Sequence, residues 1–356
     1  MDRITAELTS LGIDWELMNT GPDRSTIVAT VDTEGPTIYL HGHYDVVPAF
    51  STEQFRPRLE EGRLVGRGAS DMKGGLAAII HAAPRAAAAG ARIRLVIVPD
   101  EETGGTCGAE RLAELGVIEP GATGAIVAEP TWGTIWHAAR GAFTLDVTVR
   151  GRPAHVGLHY EGRNAFLDAA DAVAALRRLE ADLEERRCAL PFASTDPRAS
   201  ESIMLVGGIA GGGTNFNVVP DAFHFTIDRR PNPDEDFEAA KDEVLALLHG
   251  IRRRGIELDW EVLQDAPSSA TAADDPFVRT VAAAAETTVG VPVPLSCCPG
   301  VLETRVYAAA GVPAVAFGPG LIDQMHGPDE YVPAANLAAA AAVYVEVARR
   351  VADDRY

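Results

Sequence analysis

Residues 41–48 read HGHYDVVP, and they follow the apolar run TIYL over residues 37–40. The apolar run predicts a buried strand, and ligands of open α/β sheets bind beyond the carboxyl ends of the strands. His43 and Asp45 are two residues apart, so they share one face of an extended chain. Either one of these two residues binds a metal ion while the other orients the metal-binding side chain, or His43 is a buried histidine with an ordinary hydrogen-bond partner.

Two more apolar runs, over residues 92–98 and 124–128, also read as buried strands. The first is followed by three adjacent carboxylates that begin at Asp100, and the second is followed by Glu129. Neighbouring carboxylates repel one another unless a cation or a proton neutralises them. A solvated acidic turn is the alternative, but the repetition of carboxylates behind predicted strands favours a metal site.

Two further candidates lie in loops. Asp71 stands just before an alanine-rich helix predicted over residues 75–89, where the alternative role is a helix cap. His326 follows a short strand predicted over residues 313–317. The candidate residues collected from these strand ends and loops are His43, Asp45, Asp71, Glu101, Glu102, Glu129 and His326.

This set contains imidazole and carboxylate groups and no thiolate. Such a mixture suits Zn²⁺, with Mn²⁺ and Co²⁺ as alternatives. The carboxylates exceed what one tetrahedral ion needs, and they suit two ions about 3.5–4 Å apart that share a carboxylate and a water. A free carboxylate nearby then takes the proton of the water and passes it to a leaving amine. The set therefore predicts metal-assisted amide hydrolysis.

Composition narrows the class of protein. The 356 residues suffice for two domains, and because no apolar run reaches about 18 residues, we expect no transmembrane helix. The N-terminus has no signal-peptide core, which predicts a cytoplasmic protein. The net charge of −20 argues against nucleic acid and anionic membranes as partners. The four cysteines form no CxxC pair, and the adjacent Cys297 and Cys298 are interpreted as small packing residues.

The pattern changes over residues 142–264. The predicted order is strand, helix, strand, strand, helix, strand, which is typical of a ferredoxin-like α+β unit. We interpret it as a separate domain inserted into an α/β domain. The expected boundaries are 1–141 for the first part of the catalytic domain, 142–264 for the insert and 265–356 for the second part.

Several motifs in combination resemble the co-catalytic zinc amidohydrolases. This family includes acetylornithine deacetylase, succinyl-diaminopimelate desuccinylase, aminoacylase and glutamate carboxypeptidase of the carboxypeptidase G type. The resemblance implies a mixed-sheet zinc-hydrolase domain with an inserted lid and dimerisation domain, and a homodimer. The motifs are HGHYDVVP, GRGASDMKGG, DEETGG, AEPT, GRPAHVG, NVVPD, and GPG followed by HGPDEYV.

The resemblance also implies roles for the candidate metal ligands. His43 and Glu129 would hold one zinc ion, and Glu102 and His326 would hold the other. Asp71 would bridge the two ions.

Two neighbouring carboxylates would act on this centre. Asp45 would orient His43, and Glu101 would be the general base that activates the bridging water. The family often has a cis peptide after the bridging aspartate, which here is the bond from Asp71 to Met72.

Other positions resemble substrate-binding residues. His155 resembles a histidine that reaches into the active site of the partner subunit and stabilises the oxyanion, with a surface loop histidine as the alternative. Asn217 and Arg230 resemble residues that bind the substrate carboxylate, and Arg229 is an adjacent alternative. The segment around Glu303 departs from a pattern that is common in the family. Glu303 would face a substrate amine, lie behind the site, or lie at the surface.

The expected activity is therefore hydrolysis of an N-acyl amino acid by two zinc ions, most like acetylornithine deacetylase. Alternatives of the same chemistry are a desuccinylase, a dipeptidase or carboxypeptidase, and a carbamoyl-amino-acid hydrolase. An alternative of another class is a non-catalytic relative that only binds.

Overall fold

A computed structural model of the protein describes residues 1–22, 24–31 and 34–353. These residues form two compact units. The first contains the described residues within 1–138, 270–297 and 302–353, and the second contains residues 139–269 and 298–301. Among the described residues, no helix is long and apolar enough to cross a membrane.

The structure has both helices and strands throughout. The strands are β1 Asp14–Gly21, β2 Arg24–Val31, β3 Thr37–His43, β4 Arg58–Glu60, β5 Arg63–Val65, β6 Arg92–Val98, β7 Gly124–Val127, β8 Ile135–Ala139, β9 Ala142–Arg150, β10 Ile203–Gly212, β11 Ala222–Arg230, β12 Leu258–Ala266, β13 Ser269–Ala270, β14 Leu295–Cys298, β15 Ala314–Ala316 and β16 Tyr331–Pro333. The α-helices are α1 Asp2–Ser10, α2 Gly74–Ala88, α3 Ala109–Glu114, α4 Ala165–Glu184, α5 Phe237–Arg253, α6 Pro276–Val289, α7 Thr304–Ala309 and α8 Ala334–Ala352.

The first unit is built on a nine-stranded mixed sheet. Its order is β1-β2-β6-β3-β7-β15-β8-β13, and β14 also pairs with β8. Strand β3 runs parallel to β6 and β7, and β15 runs parallel to β7. The four central strands therefore end at the same edge, whereas β1, β2 and β8 run antiparallel to their neighbours.

Helices cover both faces of this sheet. Side chains of α2, α6 and α8 form one apolar core with the strands, and side chains of α3 and α7 form another. Because both faces are covered, central strands are apolar without alternation. Strand β3 illustrates this, since six of its seven residues are buried.

The second unit is a four-stranded antiparallel sheet of order β10-β11-β9-β12. Its chain order β9-α4-β10-β11-α5-β12 is that of a ferredoxin-like unit. Strand β9 alternates between buried and half-buried residues, because one face packs on the two helices in a core of its own.

The mixed α/β fold predicted from the sequence is confirmed. The strands β3, β6 and β7 occur where the apolar runs placed them. The sequence interpretation missed β1, β8 and β14, and also the short strands β4, β5, β13 and β16. Strand β1 lies at the sheet edge with four exposed residues in succession, so it lacks the apolar pattern that reveals an interior strand.

Candidate metal centre

The shared edge of the four central strands brings the predicted groups together. His43 is the last residue of β3, Glu101 and Glu102 follow β6, and Glu129 follows β7. The carboxyl ends of parallel strands are the usual ligand-binding edge of such sheets. The edge therefore carries one histidine and three glutamates from three successive strands of the sheet.

Asp71 reaches this edge from the segment before α2. A Cβ atom at Gly75 would lie 2.0 Å from the carbonyl oxygen of Ala128. Only glycine therefore lets the start of α2 approach the end of β7 so closely. The peptide bond from Asp71 to Met72 is cis, as the family resemblance implied.

Two groups of potential ligands share Asp71. His43, Asp71 and Glu129 form one group, and Asp71, Glu102 and His326 form the other, with the ligand atoms of each group within 4.8 Å of one another. Oδ1 of Asp71 lies 3.2 Å from Nε2 of His43, and Oδ2 lies 3.2 Å from Nε2 of His326. Nε2 of His326 also lies 3.2 Å from Oε2 of Glu102.

Asp45 supports both groups from behind. Its Oδ1 lies 3.3 Å from Nδ1 of His43, so Nε2 of that ring is the atom directed at Asp71. Its Oδ2 accepts a hydrogen bond from the backbone N–H of Glu102 at 3.1 Å. One side chain thus orients a histidine of the first group and fixes the backbone that carries a carboxylate of the second.

Burial and mutual repulsion shift the pKa values of these groups. Burial raises the pKa of Glu129 well above its usual range, and the charges of Asp71 and Glu101 raise it further. Burial also raises the pKa of Glu101 to about 8. The charge of His43 opposes this shift, and the charge of Glu303 adds to it. Burial would lower the pKa of His43, but hydrogen bonds to Asp45 and Asp71 raise it well above normal.

The donor set fits divalent metal ions. Glu129 is only 5% exposed, and its Oε1 has no hydrogen-bond partner among the described residues. A buried carboxylate oxygen without a partner is costly, and a cation would satisfy it. Zinc bonds to nitrogen and oxygen of about 2.0–2.2 Å put neighbouring tetrahedral ligands roughly 3.4 Å apart, close to the 3.2 Å separations around Asp71.

The profile of one protein family matches most of the chain. This family is peptidase family M20/M25/M40, and the match covers residues 39–350. The chain belongs to this family. It is therefore a metal-dependent amidohydrolase of M20 type, as its sequence motifs predicted.

Alignments with individual relatives cover almost the whole of this chain. It is 32% identical to the acetylornithine deacetylase of Myxococcus xanthus, covering 99% of this chain and 91% of the relative. It is 30% identical to the succinyl-diaminopimelate desuccinylase of Alkalilimnicola ehrlichii, covering 98% and 92%. The fold resembles the M20 metallo-carboxypeptidase Sso-CP2 of Sulfolobus solfataricus, with a TM-score of 0.80, 16% identity and coverage of 99% and 93%.

Glu303 lies in a buried polar cluster behind the metal centre of this M20 hydrolase. It is 2% exposed, and its Oε2 contacts Nε2 of His41. Nδ1 of the same ring lies 2.9 Å from the hydroxyl of Tyr307. This burial favours a supporting role for Glu303, so its predicted contact with a substrate amine stays a prediction. Sequence reasoning missed His41 and Tyr307, which are 266 residues apart and carry no local signal of their contact.

In the second unit, His155 and Asn217 lie on neighbouring segments. The carbonyl of Asn217 accepts the backbone N–H of Val156 at 2.9 Å. Nδ1 of His155 accepts the N–H of Gly157 at 3.1 Å, so a neutral ring carries its hydrogen on Nε2. The residue is exposed, which leaves that N–H available to a ligand. An open cleft of about 600 Å³ lies beside these segments, lined in part by Val156 and Phe216.

The two adjacent arginines of the second unit differ in exposure. Arg229 is fully buried and donates to Ser202 at 2.7 Å and to Glu235 at 2.6 Å. Arg230 is 28% exposed at its side chain and donates to both oxygens of Asp228, at 2.8 and 2.9 Å. Arg230 is therefore the more accessible of the two for a substrate carboxylate.

Proposed function

We propose that the protein hydrolyses the amide bond of N-acyl amino acids with two zinc ions, and that N-acetylornithine is its preferred substrate. The observation that carries the proposal is the sharing of Asp71 between two groups of ligands. The 32% identity to an acetylornithine deacetylase supports acetyl as the acyl group and ornithine as the amino acid of the proposed substrate. Desuccinylases at about the same identity make N-succinyl amino acids the next candidates.

The donor groups divide between the two ions. His43 and Glu129 would hold one ion, Glu102 and His326 would hold the other, and Asp71 would bridge them. Cobalt and manganese would suit the same ligands. When bound, such ions polarise the carbonyl of the scissile amide and lower the pKa of water.

Glu101 is proposed as the general base. It follows β6 directly before Glu102 but belongs to neither ligand group formed by the described residues. Its carboxylate would accept a proton from the attacking water and deliver it to the leaving nitrogen. The products are then a carboxylic acid and an amine, which leave as carboxylate and ammonium once the acid proton moves to the amine, and Glu101 returns to its starting state.

The second unit would supply the remaining groups. The N–H at Nε2 of His155 would donate a hydrogen bond to the oxyanion, in the active site of a partner subunit. Asn217 and Arg230 would bind the carboxylate of the amino acid. Glu303, the third predicted substrate residue, would reach a substrate amine only through Oε1, which has no hydrogen-bond partner in the described part of the chain.

An exposed strand edge supports the homodimer. Strand β10 is at one edge of the four-stranded sheet, and Leu205 and Ile209 on it are 54% and 64% exposed. An apolar strand edge is a template for pairing with another strand. A second copy of the chain, offering the same edge, would cover it.

The proposal is tested by the variant Glu101→Gln, with exposed Glu114→Gln as the matched control. Loss of a general base typically costs about 10²–10⁴ in rate, so we expect this loss in kcat with N-acetylornithine. Bound zinc, measured by elemental analysis, should stay at two ions per chain in both variants. Wild-type turnover by Glu101→Gln would refute the assignment of the base.

A further inference from the structure

Glu330 occupies a fully buried position beside the proposed metal ligands. It is 1% exposed and forms an ion pair with Arg67, whose Nη1 lies 2.6 Å from Oε2 of Glu330. Both side chains are 1% exposed in this pair. Such a pair is costly to bury unless its remaining hydrogen-bonding groups are also satisfied.

The carboxylate of Glu330 accepts four hydrogen bonds. Oε2 accepts from Arg67 and from the backbone N–H of Gly68 at 3.0 Å. Oε1 accepts from the backbone N–H groups of Ser70 at 2.9 Å and of Asp71 at 3.0 Å. Every partner is a donor, so the position requires a group that only accepts.

These bonds connect two segments that carry ligands. Glu330 lies four residues after His326 and holds the backbone of Asp71. Nη2 of Arg67 lies 3.4 Å from the backbone oxygen of His326 and 3.5 Å from that of Pro48. The pair thus fixes the backbone on both sides of the contact between Asp71 and His326.

From this arrangement we infer that Glu330 and Arg67 are positioning residues that set the separation of Asp71 and His326, and thereby the affinity of the metal site formed by Asp71, Glu102 and His326. The inference rests on the proposed pair of metal ions. The site of His43, Asp71 and Glu129 depends less on this clamp, because two of its three ligands, His43 and Glu129, are placed by the strands β3 and β7.

The decisive variant is Glu330→Gln. In either orientation of the amide, its NH2 group would face two N–H donors. Two hydrogen bonds are then lost, and donor faces donor at both places. Residues behind metal ligands typically affect affinity by about 10–100-fold. We expect a loss of this size for one zinc ion and less than about a threefold change for the other. The matched control is Asp329→Asn, an exposed neighbour with the same change in charge.

Zinc affinity is measured by competition of the chelator-stripped protein with a chromophoric chelator, and folding is followed by circular dichroism. A lower affinity for one ion alone supports the inference. An equal loss of affinity for both ions, or no loss for either, overturns it. If Glu330→Gln does not fold, Arg67→Lys decides by the same criterion, because one ammonium group cannot replace the fork of arginine. Failure of the wild-type protein to bind two ions would instead refute the proposed function.

Discussion

Oδ2 of Asp71 lies 3.2 Å from Nε2 of His326, while the other oxygen of the same carboxylate faces His43. One carboxylate therefore lies between two histidines that are 283 positions apart in the sequence, from His43 to His326. The parallel strands put His43 at the edge of the sheet, and the segments around Glu330 hold Asp71 next to His326.

Asp71→Asn and His326→Ala should affect bound metal differently. A neutral amide at the bridging position should weaken the binding of both ions, because Asp71 belongs to both ligand groups. His326 belongs to one group, so its loss should leave one tight zinc ion per chain. Zinc content after gel filtration in competing chelator distinguishes them. Retention of both ions by Asp71→Asn would contradict the shared role of this residue.

His155→Ala should lower kcat much more than it raises KM, because an oxyanion contact forms in the transition state. Removal of one such donor typically costs about 10²–10³ in rate. Mixing this variant with Glu101→Ala should restore part of the activity if His155 acts in the partner subunit, since mixed dimers then contain one intact site. Titration of one variant with the other measures the restoration. If mixing restores nothing although subunits exchange, His155 does not act across the dimer.

Glu303→Gln tests whether the buried carboxylate touches the substrate. A lost hydrogen bond to a substrate ammonium would cost about 1.5–3 kcal/mol, so kcat/KM would fall roughly 10- to 150-fold for N-acetylornithine and not for N-acetylnorvaline. Because Glu303 is bonded to His41 and 2% exposed, we expect both substrates to be affected alike. The ratio of their kcat/KM values is the measurement. A selective loss for N-acetylornithine would establish the contact with the amine.

An ion-pair cluster on α8 should make a small contribution to stability that depends on pH. Oε1 of Glu346 lies 2.6 Å from Nη2 of Arg349 and 2.7 Å from Nε of Arg350. The hydrogen bond from Arg349 lowers the pKa of Glu346 to about 2. The contribution is therefore fully present above the normal pKa of a glutamate and disappears as the pH falls from about 4.5 towards 2.

Glu346→Gln should consequently reduce the free energy of unfolding at pH 7 by no more than about 1 kcal/mol, since such surface pairs are weak. The difference from the wild type should shrink as the pH falls from 7 to 3. Urea denaturation at several pH values measures it. A difference that grew on acidification would contradict the assigned direction of the shift.

The sequence was sufficient to predict the central parallel strands and the groups at their ends. Runs such as residues 92–98 are mostly buried, and the carboxylates that follow them stand out against the apolar sequence. The exposed strand β1 was missed because its residues do not need to be apolar. The buried strands β8 and β14 were missed as well, because His137 and Ser296 interrupt their apolar sequences.

Contacts between distant segments were beyond the sequence. Glu330 lies in the motif HGPDEYV, which singled out only His326, and its four donors come from residues 67–71. The contact between His41 and Glu303 joins residues 262 positions apart. Pairings of this kind depend on how the chain closes around the sheet, and no spacing in the sequence encodes them.

If two metal ions drive amide hydrolysis, metal content and activity must rise and fall together, so the most direct test measures both. Zinc content is determined by elemental analysis, and acetate release from N-acetylornithine is followed before chelation, after chelation and after zinc is restored. We predict two zinc ions per chain, and activity that disappears with the metal and returns with it. Hydrolysis that persists in fully chelated protein, or a chain that takes up no zinc, would contradict hydrolysis by two zinc ions.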